Sequence, residues 1–192
     1  EIAQMPGARC GFLVIVAVLA QSLALHAQTV GGAYRAPQYD FSEFWAATDG
    51  RQFQVVLAGN PFPQLPVEDV KRRLLPVLQA NKPRANLTFT YQPPPEEVRP
   101  DYRLVLVFDP ANDLTAARVC AGQTFLKAGT PGRVYVFGVY CRNDLALSQT
   151  TAWTQATGPD DPRLAAMFSQ LFLVLFDDRR SRPFPVEPRF GR

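Results

Sequence analysis

Hydrophobic positions along this 192-residue chain change period several times, and each change marks an element. Gln52 to Ala58 (QFQVVLA) reads as a strand, and so does Leu87 to Tyr91, where Leu87, Phe89 and Tyr91 alternate with Thr88 and Thr90. Tyr102 to Phe108 (YRLVLVF) is more apolar throughout and predicts a central strand. Val67, Val70, Leu74, Val77 and Leu78 fall at helical spacing, with Pro66 in the first turn and Glu68 and Asp69 beside the positive end of the dipole. A helix is therefore expected over Pro66 to Ala80, kinked or stopped early at Pro76. A second is expected over Pro162 to Phe176, capped by Asp161 and striped by Leu164, Phe168, Leu171, Phe172 and Leu175. Tyr39 to Thr48 is ambiguous: Asp40 followed by Glu43 suggests a capped helix, and Asp49-Gly50 a hairpin turn. Phe41, Phe44 and Trp45 are expected to be buried in either case.

Turn chemistry sets the register of the remaining strands. If Gly129 to Gly132 (GTPG) closes a hairpin, Ala128 pairs with Arg133 and Cys120 falls opposite Cys141, within disulfide reach. Asn143-Asp144 supplies the next tight turn. That places Cys141, Val139, Phe137 and Tyr135 beside Ala146, Ser148, Thr150 and Ala152, a face suited to receive the second helix. The pattern predicts a single α+β domain over residues 39–180, with a mainly antiparallel sheet of five or six strands and two helices in two layers. Gln28 to Gln38, with Gly31-Gly32 and no periodicity, reads as a flexible leader. Ser181 to Arg192 reads as an extended, proline-rich tail.

Residues 1–27 follow another pattern. Met5 opens MPGAR, an apolar run extends from Phe12 to Ala20, and small residues close the segment at Ala24 or Ala27. This is the layout of a secretory signal peptide, with Glu1 to Gln4 as an upstream extension outside the fold. The apolar run is shorter than the roughly 20 residues of a membrane span, which favours cleavage over an uncleaved anchor. The expected location is periplasmic or secreted, with membrane contact only through an uncleaved leader. Cleavage removes His26, the sole histidine, and Cys10, one of three cysteines. Ser-His-Asp, Cys-His and histidine-rich zinc chemistry leave with them. Cys120 and Cys141 remain, in a compartment where a disulfide is stable.

The net charge of +3 comes from scattered basic residues rather than a stripe, so no nucleic-acid footprint is present and no nucleic-acid partner is expected. No GxSxG, CxxC or phosphate-cradling glycine loop occurs, and no cofactor or metal is expected. The acid pairs Glu68-Asp69, Glu96-Glu97, Asp160-Asp161 and Asp177-Asp178 lie at helix ends or in loops and read as caps and solvated groups. Asp109, Asn112 and Asp113 offer oxygen atoms to a hard cation, but match no calcium-loop spacing, and Asx-turn or cap duty is the simpler role. Gly59 to Pro63 is the best loop for a binding site, because it joins a free backbone to an exposed aromatic, Phe62; a rigid strand-to-helix turn is the simpler account of it.

Gly59-Asn60-Pro61-Phe62 after a strand, Tyr102 to Phe108, Cys120 with Gly122, Tyr140-Cys141-Arg142 leading to Asp144 and Ala146-Leu147-Ser148, and Asp161-Pro162-Arg163 form a set. As a set they resemble a family of small, uncharacterised exported proteins of Gram-negative bacteria, over residues 51–180. The resemblance implies export and a bonded Cys120 and Cys141, and it carries no activity. The leading expectation is a non-enzymatic accessory protein that binds another envelope protein. Its partner surface is expected at Leu171, Phe172, Phe176 and Phe62, where the helix stripe widens and the loop aromatic stands. The alternatives are a carboxylate-dependent hydrolase of envelope glycans and a carrier of a small apolar ligand.

Overall fold

The structure, a computed structural model, describes residues 28–83, 86–93 and 101–178. The expected signal segment at residues 1–27 and the expected extended tail at residues 181–192 lie outside the described residues. The elements in chain order are β1 (Thr29–Val30), β2 (Tyr34–Arg35), α1 (Phe41–Thr48), β3 (Gln52–Ala58), α2 (Val67–Ala80), β4 (Thr88–Thr90), β5 (Tyr102–Phe108), α3 (Ala116–Cys120), β6 (Arg133–Arg142), β7 (Leu145–Gln155) and α4 (Pro162–Leu175). The α+β class stands. The sheet has seven strands rather than five or six, in the order β1-β7-β6-β5-β3-β4 with β2 also on β7. It is mixed: β3 runs parallel to β4 and to β5, and the remaining pairs are antiparallel. Four helices are described instead of two. Two were not foreseen as such, because α1 looked equally like a strand and α3 is only five residues long.

Alternation along three strands builds two apolar faces. Phe53 and Val55 of β3, Leu104, Leu106 and Phe108 of β5, and Val134, Val136 and Tyr140 of β6 point to the first face, together with α1, α2 and α4. Val105, Val107, Val139 and Cys141 point to the second, under α3. Helices on both faces explain why β5 is apolar and buried on both sides from Leu104 to Phe108. They also replace the expected two-layer packing with three layers.

Local chemistry fixes each helix. Asp40 accepts from the Ser42 N–H at 2.8 Å, which resolves the ambiguous segment in favour of helix. Phe44 is fully buried, stacked on Phe176 with centroids 4.3 Å apart, whereas Trp45 is exposed, contrary to expectation. In α2, Pro76 lies inside the helix without ending it. Pro76 and Arg72, whose carbonyl loses its donor, are both exposed, so the released group is on the solvent side. Asp161 caps α4 through the Arg163 N–H at 3.0 Å and accepts from the Arg163 side chain at 2.8 Å.

A bulge between Tyr140 and Cys141 decides where α4 sits. Cys141 pairs with Ala146 as expected, but Tyr140 pairs with Ser148, leaving Leu147 as the extra residue. Val139, Phe137 and Tyr135 therefore face Gln149, Thr151 and Trp153 instead of Ser148, Thr150 and Ala152. The small residues stand beside Tyr140, Gly138 and Val136 on the first face, and this face receives α4. A Cβ on Gly138 would lie 3.0 Å from Leu175 and 3.3 Å from Leu171. Ser148 donates to the Leu175 carbonyl at 2.8 Å, closing a helix end that would otherwise be short of donors.

Within residues 28–38, read from sequence as a flexible leader, Thr29–Val30 and Tyr34–Arg35 pair with β7 at the sheet edge. Arg35 pairs with Asp177 at 3.3 Å and donates to the Val174 carbonyl, so this edge is fastened to the end of α4.

Candidate functional site

β3 and β5 are neighbours and run parallel, yet their outgoing connections diverge. After Ala58 the chain passes to α2 on the first face; after Phe108 it passes to α3 on the second. Divergent connections at the carboxyl ends of adjacent parallel strands leave a gap that no loop crosses, and open sheets place ligands there. In this molecule the gap is a crevice of about 510 Å³. One wall is Gly59 to Gln64, a second is Phe108 and Asp109, and the third is the loop from Leu126 to Arg133, with Ala156 and Thr157 beyond the end of β7.

The loop after β3 is built to be rigid. Gly59 has φ of 84° and an added Cβ would lie 2.8 Å from the Phe108 carbonyl oxygen, so glycine alone allows β3 and β5 to approach here. The Asn60 side chain accepts from the Phe62 N–H and donates to the Leu65 carbonyl, both at 2.9 Å. Both polar ends of Asn60 are thus used inside the loop. Phe62, expected to be exposed, is folded inward and buried at the base of this wall. The strand-to-helix turn expected over Gly59 to Pro63 is present and forms one wall of the crevice.

Asp109 is the unusual residue of the opposite wall. Its φ is 47°, in the left-handed region where a side chain is disfavoured, and strain of this kind concentrates at functional positions. The backbone holds it there from both sides: its N–H donates to the Tyr135 carbonyl at 3.0 Å and its carbonyl accepts from the Lys127 N–H at 2.8 Å. The carboxylate lies against Gly129, where an added Cβ would overlap it. It closes no hydrogen bond or ion pair among the described residues. Burial pushes the Asp109 carboxyl above its ordinary value, against the opposing pull of Lys127 and Arg133.

The two cations are drawn toward one ring. The Lys127 ammonium lies 5.7 Å and the Arg133 guanidinium 5.6 Å from the centroid of Tyr135, and Arg133 also lies 4.8 Å from that of Trp153. Lys127 in addition donates to Asn112 at 2.8 Å. Asp113, on the same loop, pairs with Arg118 at 3.6 Å. Asp109, Asn112 and Asp113 are accordingly not gathered round a common point: each has its own setting, and no group of three or more His, Cys, Asp or Glu suited to a metal occurs among the described residues.

Cys120 and Cys141 are bonded, with Cα atoms 5.6 Å apart. The hairpin used to pair them is not there. Cys120 ends α3, capped by Thr115, and reaches β6 from above the second face rather than from a neighbouring strand. Residues 121–128 form turns and a single bridge between Pro110 and Leu126, and β6 pairs instead with β5 and β7. The missed signal is Ala116, Val119 and Cys120 at helical spacing after a capping threonine.

The residues expected to meet a partner are interior. Leu171 and Leu175 pack over Gly138, Phe172 lies beside Phe89, Phe176 stacks on Phe44, and Phe62 is buried with them. An apolar helix end in this chain is core, and among the large apolar residues of α4 Leu173 is the exposed one.

No family model and no curated protein matches the chain. Among solved structures it is similar to a PelC point-variant dodecamer from Paraburkholderia phytofirmans, with a TM-score of 0.41 and 12% identity over 80% of this chain and 99% of that one. The PelC dodecamer in another crystal form gives a TM-score of 0.40 and 11% identity over 78% and 97%.

Proposed function

We propose that this chain is a non-enzymatic binding protein of the cell envelope, and that its site is the crevice at the carboxyl ends of β3 and β5. The observation that carries this reading is a cavity of about 510 Å³ at a point where strand connections diverge, with Phe62, Phe108, Leu126 and Ala156 on its walls and one unpartnered carboxylate. Volumes of about 300–1,000 Å³, largely apolar walls and a few fixed polar groups are what small-ligand sites share. Hydrolysis by a carboxylate pair calls for a second acid about 5–10 Å away. Asp109 is the one acid on this crevice among the described residues.

The envelope part rests on the secretory pattern of residues 1–27 and on the buried Cys120–Cys141 bond, which suits an oxidising compartment. No helix among the described residues is long and apolar enough to cross a membrane. The test of the site uses phenylnaphthylamine, an uncharged probe that fluoresces when it leaves water. Wild type enhances its emission saturably, and Leu126→Asp, a half-exposed wall position where a charge leaves the core intact, abolishes the effect. Equal enhancement by both proteins overturns the site.

A further inference from the structure

We infer that the crevice selects an amphiphile whose polar end is an uncharged hydrogen-bond donor, a hydroxyl or amide rather than a carboxylate or an ammonium, and that Asp109 is the residue that selects it. The inference rests on the crevice being a ligand site and adds the ligand's chemistry.

The apolar body is set by Phe62, Phe108, Leu126 and Ala156. The polar end is set by which group is left to bind it. The Asn60 amide is spent on its own loop, and the Lys127 ammonium on Asn112 and the Tyr135 ring. The Arg133 guanidinium lies over Tyr135 and Trp153. The Asp109 carboxylate has none of these commitments among the described residues, while its backbone is fastened at both N–H and carbonyl. A fixed acceptor without a donor, beside an apolar wall, is complementary to a ligand that brings the donor.

Charge then narrows the donor. A ligand carboxylate is drawn by Lys127 and Arg133, but at Asp109 it sets acceptor against acceptor, with like charge and no donor to bond the free carboxylate. A ligand ammonium is attracted by Asp109 but opposed by the two cations, Lys127 and Arg133, on the same crevice. A hydroxyl or amide N–H gains a charge-assisted hydrogen bond and meets neither penalty. Gly129 completes the arrangement, because any side chain there takes the space that the carboxylate occupies.

The experiment measures binding of four compounds with one ring system to the full chain: naphthylmethanol, naphthylmethylamine, naphthoate and, as the reference without a polar end, methylnaphthalene. Naphthylmethanol is expected to bind about tenfold more tightly than the reference, as for a hydrogen bond to a charged group, and to lead both charged compounds. In Asp109→Asn, which keeps the shape and tolerates the positive φ, the advantage of the alcohol shrinks severalfold and naphthoate moves ahead of its wild-type affinity. A wild-type order led by naphthoate or by naphthylmethylamine overturns the inference, and so does an order that Asp109→Asn leaves unchanged. If methylnaphthalene binds and Leu126→Asp abolishes its binding while the alcohol shows no preference, the crevice stands and the ligand class falls. If none of the four binds, both fall.

Discussion

Three residues show how single groups set the balance of this fold. Tyr140 is fully buried within a ring of aromatic side chains, and its hydroxyl has no hydrogen-bond partner among the described residues. An unpaired buried hydroxyl is unfavourable, so Tyr140→Phe is expected to raise unfolding free energy by about 1 kcal/mol, read from urea midpoints at constant slope. Asp109 behaves similarly, with a pH signature. Its folded pKa is raised, so the native state holds its proton over the window between the unfolded value and the folded one, and stability falls as pH rises through that window. Asp109→Asn should therefore be more stable than wild type at neutral pH, with the gain disappearing once both states are protonated in acid. Asp161 has the opposite sign. Its bonds to Arg163 and to the Arg163 and Thr157 N–H groups hold its carboxyl far below the usual range, which gives stability above the unfolded value that is lost as pH falls through the carboxylate range. Asp161→Ala removes a helix cap worth about 1 kcal/mol and should flatten the acid limb of the stability profile.

At the scale of elements, the sheet–helix seat is the sensitive joint. Gly138 lies directly beneath Leu171 and Leu175, so Gly138→Val is expected to cost about 1–3 kcal/mol by overpacking, with Gly138→Ala smaller. Calorimetry of the two variants checks the order. The elements that sequence predicted best were those whose pattern is local: β5, whose residues are apolar on both sides, and α4, whose cap and stripe lie within one run of residues. Positions that depend on distant partners were misread. The bulge at Leu147 shifted the partners of the β6 residues from Arg133 to Tyr140 by one, and local alternation does not reveal a one-residue insertion in the partner strand. Cys120 and Cys141 were paired correctly by way of a hairpin that does not exist. α3 is one short turn of helix, and its spacing of Ala116, Val119 and Cys120 is easily overlooked beside a glycine-rich turn.

The disulfide acts on the molecule as a whole, since it joins the only helix described on the second face to the middle of the sheet. Replacing both cysteines with alanine should lower unfolding free energy by about 3 kcal/mol in the chain-entropy account, seen as a lower denaturant midpoint in unreduced protein. The crevice is also a property of the whole. One of its walls, Gly59 to Pro63, was visible in sequence as a loop with a free backbone, but Asp109 was assigned to turn duty and the wall from Leu126 to Arg133 was placed in a hairpin. Those parts come together only through parallel pairing of β3 with β5 and connections leaving on opposite faces, and neither follows from local periodicity. The most direct test of the ligand-binding account is an NMR titration of the full chain with methylnaphthalene, following backbone amides. The account predicts saturable shifts at Gly59, Asp109, Gly129 and Gly132 in wild type and none in Leu126→Asp; shifts centred on another surface, or no saturable shift, would contradict it.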